Sequence, residues 1–224
     1  MNASMVKRLI LKDWYLQRWA IAGYLAAGVL AVALLAVGSE AAFYGGSVLL
    51  VSVLITAGIH LAFATVLLER KEQTLAFVMS LPISAREYTT AKIVGNLLMF
   101  LIPWATLVLA SVIVILGAES LQDGLIPVTV VIFTEIFVST CLLLGVALVS
   151  ESQGWTVGTL VAGNLFFNFF IYGIFRIPAI AAASKSAAIV WGGPVMALLA
   201  TEAAAIVLLL GITFVLQDRK TDFI

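Results

Sequence analysis

Runs of apolar residues long enough to cross a bilayer dominate this chain, and charged residues fall almost entirely between them. A helix needs about 20 mainly apolar residues to traverse a hydrocarbon layer of about 30 Å. Six segments meet that requirement: residues 19–39, 43–68, 93–117, 125–149, 155–175 and 195–216. A single carboxyl interrupts the fourth (Glu135) and the sixth (Glu202), and the second carries the only histidine, His60. The predicted architecture is an all-α integral membrane domain with six transmembrane helices.

Composition agrees and excludes the alternatives. Of the 224 residues, 63% are hydrophobic and 11% charged, with a mean hydropathy of +1.16. A soluble domain is nearer 45–50% apolar and about 25% charged, and a disordered chain needs low hydrophobicity and high net charge. Twelve basic residues balance twelve acidic ones, so no basic excess points to nucleic acid. The single cysteine, Cys141, rules out an intrachain disulfide and a cysteine metal cluster.

The placement of charge says more than its total. Lys7, Arg8, Lys12 and Arg18 precede the first span; Arg70, Lys71, Arg86 and Lys92 lie between the second and third; Arg219 and Lys220 follow the sixth. The alternate segments hold only Arg176 and Lys185. Short cytoplasmic segments carry excess Lys and Arg, so both termini are expected in the cytoplasm. The basic start followed by an apolar run and Ala36-Val37-Gly38 resembles a secretory signal, but the run is longer than the 7–15 residues of a signal core. It is read as an uncleaved span.

Two polar segments have internal structure. Residues 4–18 place Met5, Val6, Leu9 and Leu16 at mostly helical spacing, with Lys7, Arg8, Lys12 and Asp13 on another side. This predicts an amphipathic N-terminal interfacial helix in the headgroup layer, with Trp14, Tyr15 and Trp19 at the interface; the alternative is a plain positive-inside flank. Residues 69–92 form the one sizeable polar loop. Its charges cluster at both ends, while Thr74 to Met79 is mostly apolar and stops before Pro82, whose predecessor disfavours the αR region. Ser84 and Glu87 have the spacing of a capping box. The loop therefore reads as helix, proline turn, helix, with Leu75, Phe77, Val78 and Leu81 available to dock a protein or to rest on headgroups.

This loop resembles the cytoplasmic loop of type-2 ABC exporter permeases, the six-helix membrane subunits of ATP-binding-cassette transporters. The resemblance rests on the cluster Glu69-Arg70-Lys71-Glu72, then Thr74-Leu75, Ser80-Leu81-Pro82, Arg86-Glu87, and Lys92 entering the next span. The amphipathic start and the span count extend it over essentially the whole chain. It implies that Glu69, Glu72, Thr74, Leu75, Ser80, Leu81, Pro82, Arg86 and Lys92 belong to a coupling element seated on a cytoplasmic ATPase. Gln73 departs from the family pattern, in which a small glycine commonly precedes that threonine. Further implications are two ATPase copies, a homodimer or heterodimer of permeases, and a bacterial or archaeal cytoplasmic membrane. The family also has short re-entrant helices between its fifth and sixth spans. Residues 176–194, apolar and broken at Pro178 and Gly192-Gly193-Pro194, resemble them; a plain external loop is the alternative.

No G-x-x-x-x-G-K-[ST] phosphate loop occurs, so ATP and Mg would be bound by the partner rather than here. One histidine excludes H-E-x-x-H, and G-x-S-x-G is absent. The chain is not expected to be an enzyme, and neither a catalytic nor a metal site is assigned.

Polar groups within the spans are the remaining candidates. A charged carboxyl costs about 2.5–3.5 kcal/mol on insertion scales, so Glu135 and Glu202 should face protein or water, pair, or hold a proton. For Glu202 the expected arrangement is an ion pair with Arg176 or Lys185. For Glu135, substrate contact, proton carriage and a hydrogen bond to Asn164 or Asn168 stay open, with Ser139 a neighbour one turn on. Asn164, Asn168 and Tyr172 recur every four residues on one face, suited to helix packing or to a translocation path. Gly154 and Gly158 form a GxxxG pattern, and His60 shares a face with Thr56 and Ser52, as a packing residue or a substrate contact. The leading expectation is a permease exporting a hydrophobic or amphipathic cargo such as a peptide, drug or lipid-like molecule. The alternatives are a proton- or ion-coupled secondary transporter using Glu135 and Glu202, and a non-transporting membrane scaffold or immunity subunit.

Overall fold

The structure is a computed structural model that describes residues 3–71 and 84–219. The described residues form helices α1 (Ala3–Leu35), α2 (Glu40–Ala62), α3 (Leu68–Lys71), α4 (Ala85–Gly117), α5 (Leu125–Ser150), α6 (Gln153–Ile174), α7 (Pro178–Ala183) and α8 (Gly193–Asp218). A π-helical turn, Phe63–Leu67, joins α2 to α3. Six of these helical segments are long and apolar enough to span a membrane, as the sequence predicts.

Local chemistry sets several boundaries. Ser39 caps α2 by accepting the Ala42 amide at 3.2 Å. The predicted capping box opens α4: Ser84 Oγ accepts the Glu87 amide at 3.3 Å, and the Glu87 carboxylate accepts the Ser84 amide at 2.9 Å. Satisfying two orphan donors at once starts α4 eight residues before the span begins.

That early start matters because α1 and α4 are 33 residues each, about 50 Å at 1.5 Å per residue. Neither fits within a hydrocarbon layer of about 30 Å. They run parallel in a steady register: Val6 and Leu9 pack with Tyr88 and Ala91, and Gly28 lies against Leu107. Residues 4–18 are therefore continuous with the first span instead of forming a separate surface helix. Val6 and Leu9 bury against α4 because α4 extends equally far, while Leu11, Tyr15, Leu16 and Trp19 stay exposed.

The bundle has an uneven centre. Half (50%) of the most apolar window of α5 is buried, against 11% for α6 and for α8. Helix α5 packs on α2, α4, α6 and α8, whereas α6 and α8 expose Trp155, Phe169 and Val207. Such apolar faces suit a hydrocarbon solvent. The Gly154/Gly158 pattern sits on this exposed side, and no other described helix approaches Gly158.

Within residues 176–194 the structure has one short helix, α7. Ile180 packs with Val128, Val131, Ile174 and Val195, closing that end of the bundle. The Gly124 amide donates to Ser186 O at 3.0 Å, and a Cβ at Gly124 would lie 1.9 Å from Ala183 O. Only glycine permits that approach.

Candidate functional site

Four charges from three helices meet where the basic segments converge. Lys92, the last charge before the apolar stretch of α4, is fully buried. Its Nζ lies 2.8 Å from Asp13 Oδ2 on α1 and 2.8 Å from Glu69 Oε2 on α3. Lys12 closes the group: its Nζ is 3.3 Å from Asp13 Oδ1 and also donates to Glu69 Oε1. Tyr88 adds a hydroxyl donor to Glu69 Oε2 at 3.3 Å. Among the described residues two cations face two anions. That pairing makes the burial tolerable, since unpaired buried charge costs several kcal/mol.

A hydrogen-bonded layer continues the cluster inward. Asn96 Nδ2 donates to Lys92 O at 2.9 Å and to Thr65 Oγ1 at 2.8 Å. Thr65 Oγ1 also donates to Leu61 O at 2.8 Å and lies within the π-helical turn. Turns of this type often mark functional positions within helices; here one turns α2 into the short helix that presents Glu69.

The environment acts on Glu69 in two directions. Burial pushes its carboxyl up, but the Lys92 charge and the hydrogen bonds from Lys12 and Lys92 outweigh that, and the net result lies below the ordinary carboxylate value of 4.5.

Of the loop residues the resemblance singles out, Glu69 and Lys92 come together in this cluster. Arg86 points elsewhere, 3.6 Å from Asp218 at the end of α8 and over the Phe214 ring at 5.3 Å. Glu72, Thr74, Leu75, Ser80, Leu81 and Pro82 lie outside the described residues. Sequence reasoning missed Asp13, Lys12, Tyr88, Asn96 and Thr65. The available signal was Asp13 itself, the one acid among the four bases that precede the first span.

The intramembrane groups are rearranged relative to expectation. Glu202 makes no ion pair with Arg176 or Lys185. It sits nine residues into α8, about 14 Å from its start, while Arg176 folds over the Tyr172 ring at 4.6 Å and donates to its hydroxyl. Lys185 is exposed. Glu135 accepts from Ser139 Oγ at 3.4 Å, not from Asn164 or Asn168. Those amides donate to carbonyls of their own helix, Leu160 O at 2.9 Å and Asn164 O at 2.8 Å.

The polar face of α6 is divided. Asn164 lines an open groove between α2, α5 and α6, together with Ser139, Thr140, Thr159 and aliphatic side chains. Asn168 and Tyr172 are exposed, beside Arg176 near the far end of α6. His60 pairs with Gln17 Oε1 at 2.9 Å and meets the Tyr24 ring edge-on at 5.7 Å, a contact between α1 and α2. Among the described residues no group of three or more His, Cys, Asp or Glu is placed to hold a metal.

A six-span helical bundle whose basic end gathers buried ion pairs defines a polytopic membrane protein. The family model described as ABC-2 family transporter protein matches residues 8–216, and the chain belongs to that family. Neither a curated protein nor a solved structure matches it.

Proposed function

We propose that this chain is the permease subunit of an ATP-binding-cassette exporter, driven by ATP hydrolysed on a separate subunit seated on residues 69–92. The observation that supports this is the placement of Glu69 and Lys92 at the two ends of that loop, tied to each other and to Asp13. A push on the loop is then resisted by buried charge pairs and passes into α1, α3 and α4 together. Packed interfaces can turn small local shifts into movements of whole helices.

On this reading the basic end is cytoplasmic, as the excess of Lys and Arg predicts. The chain catalyses nothing alone; ATP and Mg belong to two ATPase copies, and two permeases pair to form the pathway in a bacterial or archaeal cytoplasmic membrane. The largely apolar groove beside Ser139 and Asn164 suits a hydrophobic or amphipathic cargo. The test is to co-express the chain with an ATPase encoded beside it, purify the assembly and reconstitute it. Vanadate-sensitive ATPase activity with nucleotide-dependent transport is expected. Stable copurification with neither activity would sink the proposal.

One observation favours a second reading, proton- or ion-coupled secondary transport: Glu135 and Glu202 are both buried and lie at one depth on the packed helices α5 and α8. Uptake or efflux by the single chain in proteoliposomes under a pH gradient, without ATP, selects it over the first.

A further inference from the structure

Helices α5 and α8 run parallel and in register. Gly145 lies against Thr213, where a Cβ would come within 2.5 Å of Oγ1, and the Gln217 amide donates to Leu148 O. Followed away from that end, the same register brings Glu135 and Glu202 to one depth. Both are buried, 5% and 4% exposed. Neither carboxyl oxygen of Glu202 has a hydrogen-bond partner among the described residues.

Among the described residues no cation is paired with them. Between Ile93 and Gly117 α4 carries no charged residue, and α6 carries none at all. On α5 the other titratable group is Cys141, and on α8 it is Asp218 at the far end, beside Arg86. His60 of α2 is turned toward Gln17 and Tyr24 of α1. Tyr172, Arg176 and Lys185 are exposed near the opposite end. Two carboxyls and the Ser139 hydroxyl fall short of the six to eight oxygens a calcium-type cation requires. Two ionised carboxylates side by side would add like-charge repulsion to the insertion cost of each.

We propose that Glu135 and Glu202 form a proton-binding site that holds at least one exchangeable proton between α5 and α8, the bound proton supplying the donor Glu202 lacks. Binding converts one carboxylate and one proton from water into a neutral acid whose hydroxyl donates to the other carboxyl. The pairing of α5 with α8 is then weakened when that proton leaves at high pH. This inference does not depend on ATP coupling, and either can fail without the other.

The test is infrared spectroscopy of the full-length protein in phosphatidylcholine vesicles, with thermal unfolding measured in parallel. At neutral pH the wild type is expected to show a carboxylic-acid C=O band that shifts in deuterium oxide. Glu202→Gln should remove or halve the band, and Glu135→Gln should shift it, since both amides keep the shape of a neutral acid. The unfolding midpoint should fall as pH rises above the ordinary carboxylate range, because the folded state still holds a proton that the unfolded state has lost. That slope should flatten in Glu202→Gln. If the wild type lacks the band at neutral pH, or both glutamine variants leave it unchanged, the carboxyls are ionised or paired otherwise and the proposal is overturned.

Discussion

Replacing Lys92 by methionine is the most demanding perturbation of the charge cluster. Methionine retains most of the side-chain volume, so the change is mainly the loss of an ammonium that sits 2.8 Å from two carboxylates. Among the described residues, Asp13 and Glu69, with side chains 3% and 10% exposed, would then share Lys12, which is 38% exposed. The cluster would lose one positive charge. Removing one partner of a buried pair costs about 3–5 kcal/mol, because the remaining charge stays buried without compensation. Lys12→Met breaks a pair with a partly solvated cation, for which about 1 kcal/mol or less is expected. Tryptophan-fluorescence unfolding in detergent should therefore separate the two variants clearly. Adding Asp13→Asn to Lys92→Met restores the wild-type net charge and should recover a large part of the loss, as neighbours in one network couple by about 0.5–3 kcal/mol. The reasoning is refuted if Lys92→Met costs no more than Lys12→Met, or if the double variant is less stable than the single one.

Other consequences can be checked with simple variants. Because the folded-state carboxyl of Glu69 lies below 4.5, its contribution is present above the unfolded value and is lost as pH falls through the depressed folded one. The wild type should thus lose stability steeply below about pH 4.5, and a shallower acid limb is expected for Glu69→Gln in a pH series of melting curves. Ser84→Ala removes the cap at the start of α4 and should cost about 1 kcal/mol, read by thermal unfolding. Arg86→Ala should cost about 1 kcal/mol or less, since its pair with Asp218 is exposed, yet uncouple ATPase activity from transport; normal coupling in that variant removes Arg86 from the coupling element. Gly124→Ala drives a Cβ into Ala183 O, a backbone atom that no rotamer change can move aside. Destabilisation of about 1–3 kcal/mol is expected, measured as a lower melting midpoint and reduced yield of folded protein.

The sequence by itself determined the six spans, the capping box at Ser84 and Glu87, and the exceptional status of Glu135 and Glu202. Each follows from local rules: the thickness of the hydrocarbon layer, the four orphan amides of a helix start, and the cost of a carboxyl in an apolar medium. These depend on neighbours within one helix, which spacing reveals.

Partnership across helices was decided only by the tertiary structure. In the sequence Lys92 reads as the last residue of the coupling loop entering a span, and Asp13 as part of the polar side of the N-terminal helix. They meet because α1 and α4 both project beyond the hydrocarbon layer in parallel register, which brings together residues 79 positions apart. Glu202 was expected beside Arg176 or Lys185 because these are the basic residues nearest in sequence on its side of the membrane, but its depth in α8 separates it from them. Instead the packing of α5 on α8 brings it to the depth of Glu135. Hydropathy reports how deep a residue lies but not which way it faces around a nearly uniformly apolar helix, and rotation is set by close contacts such as Gly145 on Thr213. The assignment of each charge to its partner therefore waited on the packed bundle.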